Sequence, residues 1–339
     1  MQQEAKRMRI IGLTLYIWLA FGAIYAAAQN ASRPAPSSAC IEFNRTVLNQ
    51  VSTGRLADAE AVLSRALASN ANGLEQLCTG FLLHNMAVIM SASGGLGEAE
   101  SFAERSVKVL EKSYPPEDLA LLRPLASLSS ALLEQRKIGK ARAVFQRMLS
   151  VRTERPDDRA VLHTTAAALF QAEARYKDAE LEYFRALAAR EEAGRGQTAD
   201  IAQLLNMLAN LYIVDKRFDE AGHILDRILA IFAVTGDGVL KDRATFLNSQ
   251  AAVHIHRGEW RKAEEVLRSA ITAADSEMRL DPLALETLLV NYAYVLRKNH
   301  RRREARAAEA RAATLYSDRT IDPVVDASEL LPKTKAAKK

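Results

Sequence analysis

The side chains best suited to metal or redox chemistry are six histidines and two cysteines. The histidines are His84, His163, His223, His254, His256 and His300. The one close pair, His254 and His256, is two residues apart, so on a helix the rings point about 200° apart and do not share an ion. The sequence holds no HExxH, no GxxxxGK[ST] and no paired CxxC, so zinc-protease, phosphate-cradle and zinc-ribbon chemistry have no signature here. Gly94-Gly95 and the Gly236-Asp237-Gly238 run stand without a strand before them and read as turns. The residue order supports no Ser/His/Asp arrangement. No enzyme, no cofactor and no metal is expected. Cys40 follows Ser37-Ser38-Ala39, with Ser37 where a lipid-attachment signal needs leucine. Two readings remain for Cys40 and Cys78: two buried thiols, or a disulfide in an oxidising compartment, which the compartment favours.

Helix pairs must position these residues. In Ile201–Thr235, Leu205, Leu208, Ala209 and Tyr212 share one helical face, and Phe218, Ala221, Leu225 and Ile228 share another; both follow the 3.6-residue period. The joint between Ile213 and Phe218 is short and polar, so the two fold back antiparallel. Such a pair cannot bury its own apolar faces and needs copies on either side. The chain supplies them. Ala59, Ala99, Ala141, Ala179, Ala221, Ala263 and Ala305 recur at spacings of 40, 42, 38, 42, 42 and 42. Twelve residues upstream runs a small column: Val47, Ala87, Ser129, Ala167, Ala209, Ala251 and Ala293. Three upstream runs a bulky one, Leu56, Leu96, Ile138, Tyr176, Phe218 and Trp260, which Arg302 breaks. Four downstream, Leu63, Ala103, Phe145, Tyr183, Leu225 and Leu267 are followed by Glu309. Packed helix axes approach to about 8–10 Å, and a small residue at the crossing permits the closest approach. The seventh unit, with its polar outer face, reads as the end of the stack.

The chain has 339 residues and a net charge of +5, but the excess sits at its ends. Residues 1–28 carry +2 and the last seven residues carry +4, leaving residues 29–332 at −1. A nucleic-acid module carries its charge on the folded domain, so no nucleic acid partner is expected. Lys6, Arg7 and Arg9 precede an uncharged run from Ile10 to Ala28 that ends in three alanines. That is the pattern of a secretory signal peptide cleaved near Ala28. The alternative is an uncleaved signal anchor, since the run is near bilayer-spanning length; either way the repeats face the periplasm or are secreted. Residues 29–39 read as a Pro/Ser linker and 317–339 as a tail with a Lys-rich end. That tail gives at most a weak contact with anionic lipid.

Three stretches carry a resemblance to a family. They are Asn-Met-Leu-Ala-Asn-Leu-Tyr with Phe-Asp-Glu-Ala (206–212, 218–221), Gly-Glu-Trp-Arg-Lys-Ala-Glu-Glu-Val-Leu-Arg-Ser-Ala-Ile (258–271), and Gly-Arg-Leu-Ala-Asp-Ala-Glu-Ala-Val-Leu-Ser-Arg-Ala-Leu (54–67). They resemble the tetratricopeptide repeats, in the variety of about 42 residues found in kinesin-light-chain-like arrays. The resemblance covers residues 40–316 and implies an all-α, right-handed α-solenoid of seven antiparallel helix pairs. It also implies a concave groove lined by first helices that holds a protein or peptide. By that register the lining is Gln203, Asn206 and Asn210 in repeat 5, and Thr245, Asn248 and His256 in repeat 6. Repeat 7 adds Thr287, Tyr294, Arg297 and Lys298. Repeats 1 and 2 give Ile41, Asn44, Leu48, Phe81, His84 and Val88, an apolar end. Amide side chains both donate and accept, so a row of them suits an extended peptide backbone, and Arg297 suits a carboxylate. The Lys/Asn clamp of chaperone-binding repeats is missing, because Asn44 and Leu48 stand in its place. The expected function is an exported protein- or peptide-binding scaffold of the cell envelope. The alternatives are a self-associating structural protein or, less favoured, an enzyme with a site in the groove. Partner identity and oligomeric state are not legible in the sequence.

Overall fold

The computed structural model describes residues 35–52, 56–69, 76–92, 94–194, 199–235, 243–276 and 282–317. The expected signal segment at 1–28, the Lys-rich end and the Gly236–Gly238 turn lie outside them. The described residues form fourteen α-helices and no strand, which pair as seven hairpins in an α-solenoid. The pairs are α1 (Ser38–Ser52) with α2 (Leu56–Ser69), α3 (Gln76–Ala92) with α4 (Leu96–Leu110), and α5 (Leu122–Glu134) with α6 (Ile138–Met148). Then follow α7 (Pro156–Ala172) with α8 (Tyr176–Glu192), and α9 (Ala199–Val214) with α10 (Phe218–Thr235). Last are α11 (Arg243–His256) with α12 (Trp260–Ser276), and α13 (Pro282–Lys298) with α14 (Arg302–Ser317). No described helix is long and apolar enough to cross a membrane.

The alanine register is the register of the fold. All seven alanines from Ala59 to Ala305 are fully buried, and so is the small column from Val47 to Ala293. All seven second helices begin on the column that runs from Leu56 to Arg302. A single wrong side chain in either small column therefore pushes two helices apart. Each second helix packs on its own first helix and on the first helix of the next repeat. Consecutive first helices also touch at most of the junctions, as in α1 with α3, α3 with α5, α5 with α7, and α9 with α11.

The turns inside the hairpins share one geometry. Five residues before each alanine from Ala99 to Ala305 stands a left-handed residue: Gly94, Arg136, Ala174, Lys216, Gly258 or His300. The next amide reaches back to a carbonyl five residues earlier, as Arg175 N–H to Phe170 O (2.8 Å) and Arg217 N–H to Tyr212 O (2.8 Å). This is the Schellman closure, which satisfies the carbonyls left over at a helix end. Four of the six left-handed positions carry a side chain, which costs roughly 1–2 kcal/mol each.

Cys40 and Cys78 are joined by a disulfide, with Cα atoms 5.7 Å apart, and it ties α1 to α3. A closed loop of 38 residues is worth roughly 3–4 kcal/mol by the chain-entropy account.

Ala221→Leu overpacks the crossing of α9 and α10, so it should destabilise by roughly 1–3 kcal/mol in urea unfolding. Ala174→Gly relieves a left-handed alanine and should stabilise by about 0.5–1 kcal/mol in the same assay.

Candidate functional site

The first helices present two neighbouring columns to the next repeat, fifteen and fourteen residues before the alanines. At three junctions a polar residue of the second column meets one of the first. Asn85 Nδ2 donates to Asn44 Oδ1 (2.6 Å), Asn291 Nδ2 donates to Asn248 Oδ1 (2.9 Å), and Ser127 Oγ lies 3.4 Å from His84 Nδ1. These side chains form a discontinuous polar ladder along the array, most of it buried. The ladder fails between repeats 5 and 6. There Ser249 Oγ donates instead to Asn210 Oδ1 (3.3 Å), and Asn206, at 0% exposure, is left with neither its Oδ1 nor its Nδ2 hydrogen-bonded. Gln203 Nε2 and Asn210 Nδ2 are also unpaired. Gln203, Asn206 and Asn210 lie at i, i+3 and i+7 on α9 and share one face. Four unsatisfied amide atoms on one buried face are a local concentration of cost, about 1–3 kcal/mol for each group.

Gln203, Asn206, Asn210 and Asn248 are all buried, because the neighbouring first helix covers positions that a lone amphipathic helix would show to water. Thr245 lies in the first turn of α11, and its side chain is outside the described residues. Tyr294 is half-buried, edge-on to Trp260 at 6.0 Å, with Lys298 Nζ 5.5 Å above both rings. Arg297 is exposed but paired with Glu309 at 2.5 Å. His256 stacks on Phe218 at 4.4 Å. At the apolar end, Phe81 and Val88 are buried and Ile41 is partly so.

Two ionic features escaped the sequence reading. Arg123 and Asp158 are buried and 3.5 Å apart, and Arg190 holds Asp157 at 2.6 Å. Burial pushes the Arg123 guanidinium down to about 10. This network sits where repeats 3 and 4 meet, the junction of shortest spacing. The second feature recurs. In repeats 2, 3, 4 and 6 the residue just after the alanine is clasped by the turn of the following repeat. Glu100 takes Lys137 (2.5 Å) and Gln135 (2.8 Å); Arg142 takes Glu173 (2.7 Å); Glu180 takes Arg217 (2.7 Å); Glu264 takes Asn299 (2.7 Å) and Arg301. Hydrogen bonding to Arg217 holds the Glu180 carboxyl below its usual range. The signal for this feature was a charge at one fixed offset, invisible until the columns are aligned.

Residues 200–276 match the tetratricopeptide repeat family. Those residues are repeats 5 and 6 of the array. Solved structures share the repeat fold at low identity. A Rap protein complexed with competence and sporulation factor superposes at a TM-score of 0.63 with 15% identity, over 81% of this chain and 74% of that one. The apo form of RapI gives 0.57 and 10%, over 83% and 99%. Aspartyl phosphate phosphatase F from Bacillus subtilis gives 0.57 and 13%, over 81% and 70%. No curated protein matches. At these identities the likeness speaks for the fold alone.

Asn206→Leu removes two unsatisfied polar atoms while keeping the number and branching of the side-chain heavy atoms. It should raise the stability measured by urea unfolding by about 1–3 kcal/mol; a loss of stability would mean that the amide is paired in solution.

Proposed function

We propose that this tetratricopeptide array is an exported, non-enzymatic scaffold that holds an extended protein segment along α9, in repeat 5. The observation that carries this is the row of unpaired amide atoms on Gln203, Asn206 and Asn210. A stable fold gains nothing by keeping polar groups buried and unpaired. A peptide strand supplies alternating N–H and C=O groups that satisfy amides without a sequence requirement. Asn248, one repeat on, continues the row through its bond with Asn291. Tyr294 and Arg297 mark its far end. The Rap protein solved with competence and sporulation factor has the same architecture with a bound factor, which supports a groove of similar use here. Export is read from the signal-like pattern of residues 1–28 and is supported by the Cys40–Cys78 disulfide, since such bonds persist in oxidising compartments.

The test is a cellulose array of unrelated, unstructured peptides probed with the full chain lacking residues 1–28. Peptides of many sequences should be retained, and N-methylation of their backbones should abolish retention. Asn206→Leu combined with Asn210→Leu should cut retention at least tenfold while leaving the fold intact by circular dichroism. Retention that is indifferent to both changes would refute the reading. Light scattering should show a concentration-independent monomer, and a stable dimer would instead assign the concave face to a second copy.

A further inference from the structure

Asn206 presents a difficulty. It is the centre of the proposed peptide row, and it is sealed from solvent at 0% exposure. A peptide reaches it only if the helices over it part, and the column register places α11 of repeat 6 over it. The junction between repeats 5 and 6 combines four features. At the clasp position, where repeats 2, 4 and 6 carry Glu100, Glu180 and Glu264, repeat 5 carries Gly222. The turn residue that should be clasped, Arg257, turns instead to Asp219 at 2.6 Å, and Asp219 is 85% exposed. An ion pair so open to water contributes little.

A second set of ion pairs links successive second helices, as Arg147 with Glu111, Arg227 with Glu191 (3.1 Å) and Arg311 with Asp275. At the corresponding place repeat 6 has Ser269. Beside Gly222 a cleft of about 280 Å³ separates the helices, lined by Asp219 and Asp226 from α10 and by Gln250, His254 and Arg257 from α11. Finally, among the described residues only Phe246 and Val253 of repeat 6 enter the buried core of repeats 2–5. The rest of its buried apolar residues belong to a separate core with repeat 7.

From these observations we infer that the array opens at the junction of repeats 5 and 6. Repeats 6 and 7 move as one body against repeats 2–5, and this uncovers Asn206 and its neighbours to an incoming strand. The inference rests on the proposed peptide row for its purpose, and on Gly222, the cleft and the divided core for its mechanism. Gly222 is what keeps the joint weak. A Cβ added there meets the Arg257 guanidinium, with Nη2 at 3.2 Å, Nη1 at 3.8 Å and Cζ at 3.9 Å, the far end of a flexible side chain. The column's glutamate therefore fits at this position and would face Arg257.

Opening can be read without any ligand. Among the described residues both cysteines are in the disulfide, so one introduced thiol reports alone. Asn206→Cys should react with a maleimide at least tenfold faster than Thr164→Cys, which occupies the same column in repeat 4 and is more exposed, at 7%. Adding Gly222→Glu should slow Asn206→Cys at least tenfold and leave Thr164→Cys unchanged. Amide exchange in the unsubstituted chain should show α9 and α11 opening faster than α7 and α8, which covers the case in which Gly222→Glu does not fold. Equal labelling of the two thiols, equal exchange, or indifference of Asn206→Cys to Gly222→Glu would overturn the joint. Rapid labelling of Asn206→Cys without retention of any array peptide would instead overturn the peptide reading and leave the joint standing.

Discussion

Fourteen helices stay in register because each crossing is made at a side chain too small to hold them apart. The alanines from Ala59 to Ala305 and the column from Val47 to Ala293 set the spacing between helices, and everything else is arranged around that approach. Bulky residues fill the wedge between pairs, the turns close in one left-handed geometry, and the polar residues are left with the junctions. This explains how the fold survives such diversity in its other positions. A crossing has one steric requirement, whereas a junction can be satisfied by ions, amides or a sulfur bridge.

The junctions are accordingly where this chain departs from uniformity. Repeats 1 and 2 are joined by a covalent bond together with the Asn85–Asn44 pair. Repeats 3 and 4, at the shortest spacing, are joined by the buried pair Arg123–Asp158. Repeats 6 and 7 are joined by two residues that grip Glu264, Arg301 and Asn299. Between repeats 5 and 6 the glutamate clasp gives way to Gly222, and there the buried amides of α9 go unpaired. A stack whose members touch only their neighbours distributes its stability as a series of interface terms. A weak interface in such a series is local, and it does not loosen the rest.

The sequence makes the helix pairs legible because period and spacing are one-dimensional quantities. Ala221 and Phe218 announce their roles to anyone counting from Ala179 and Tyr176. The site was less legible. Gln203, Asn206 and Asn210 are identifiable as one face of α9, but whether that face meets water or another helix depends on how closely consecutive first helices lie, which no periodicity encodes. The left-handed turns were half visible, since Gly94 and Gly258 advertise the conformation while Arg136, Ala174, Lys216 and His300 hide it. The clasps were hidden for a different reason. Glu180 and Arg217 are 37 residues apart, and a pair at that distance looks like two unrelated surface charges until the columns are laid side by side.

The polarity of the clasps carries a consequence for assembly. Three of them place the acid after the alanine and the base in the next turn, whereas Arg142 with Glu173 reverses the order. Hairpins that share a shape can stack in any sequence as far as their alanines are concerned, and a growing chain offers each of them several similar neighbours. Charge makes those neighbours unequal. The glutamates take a base four residues before the next alanine (Lys137, Arg217, Arg301), whereas Arg142 takes an acid six residues before it (Glu173). Misassembly between similar units is the failure to which repeat proteins are prone, and hairpins that differ in the sign and place of a contact are less interchangeable than their shared shape.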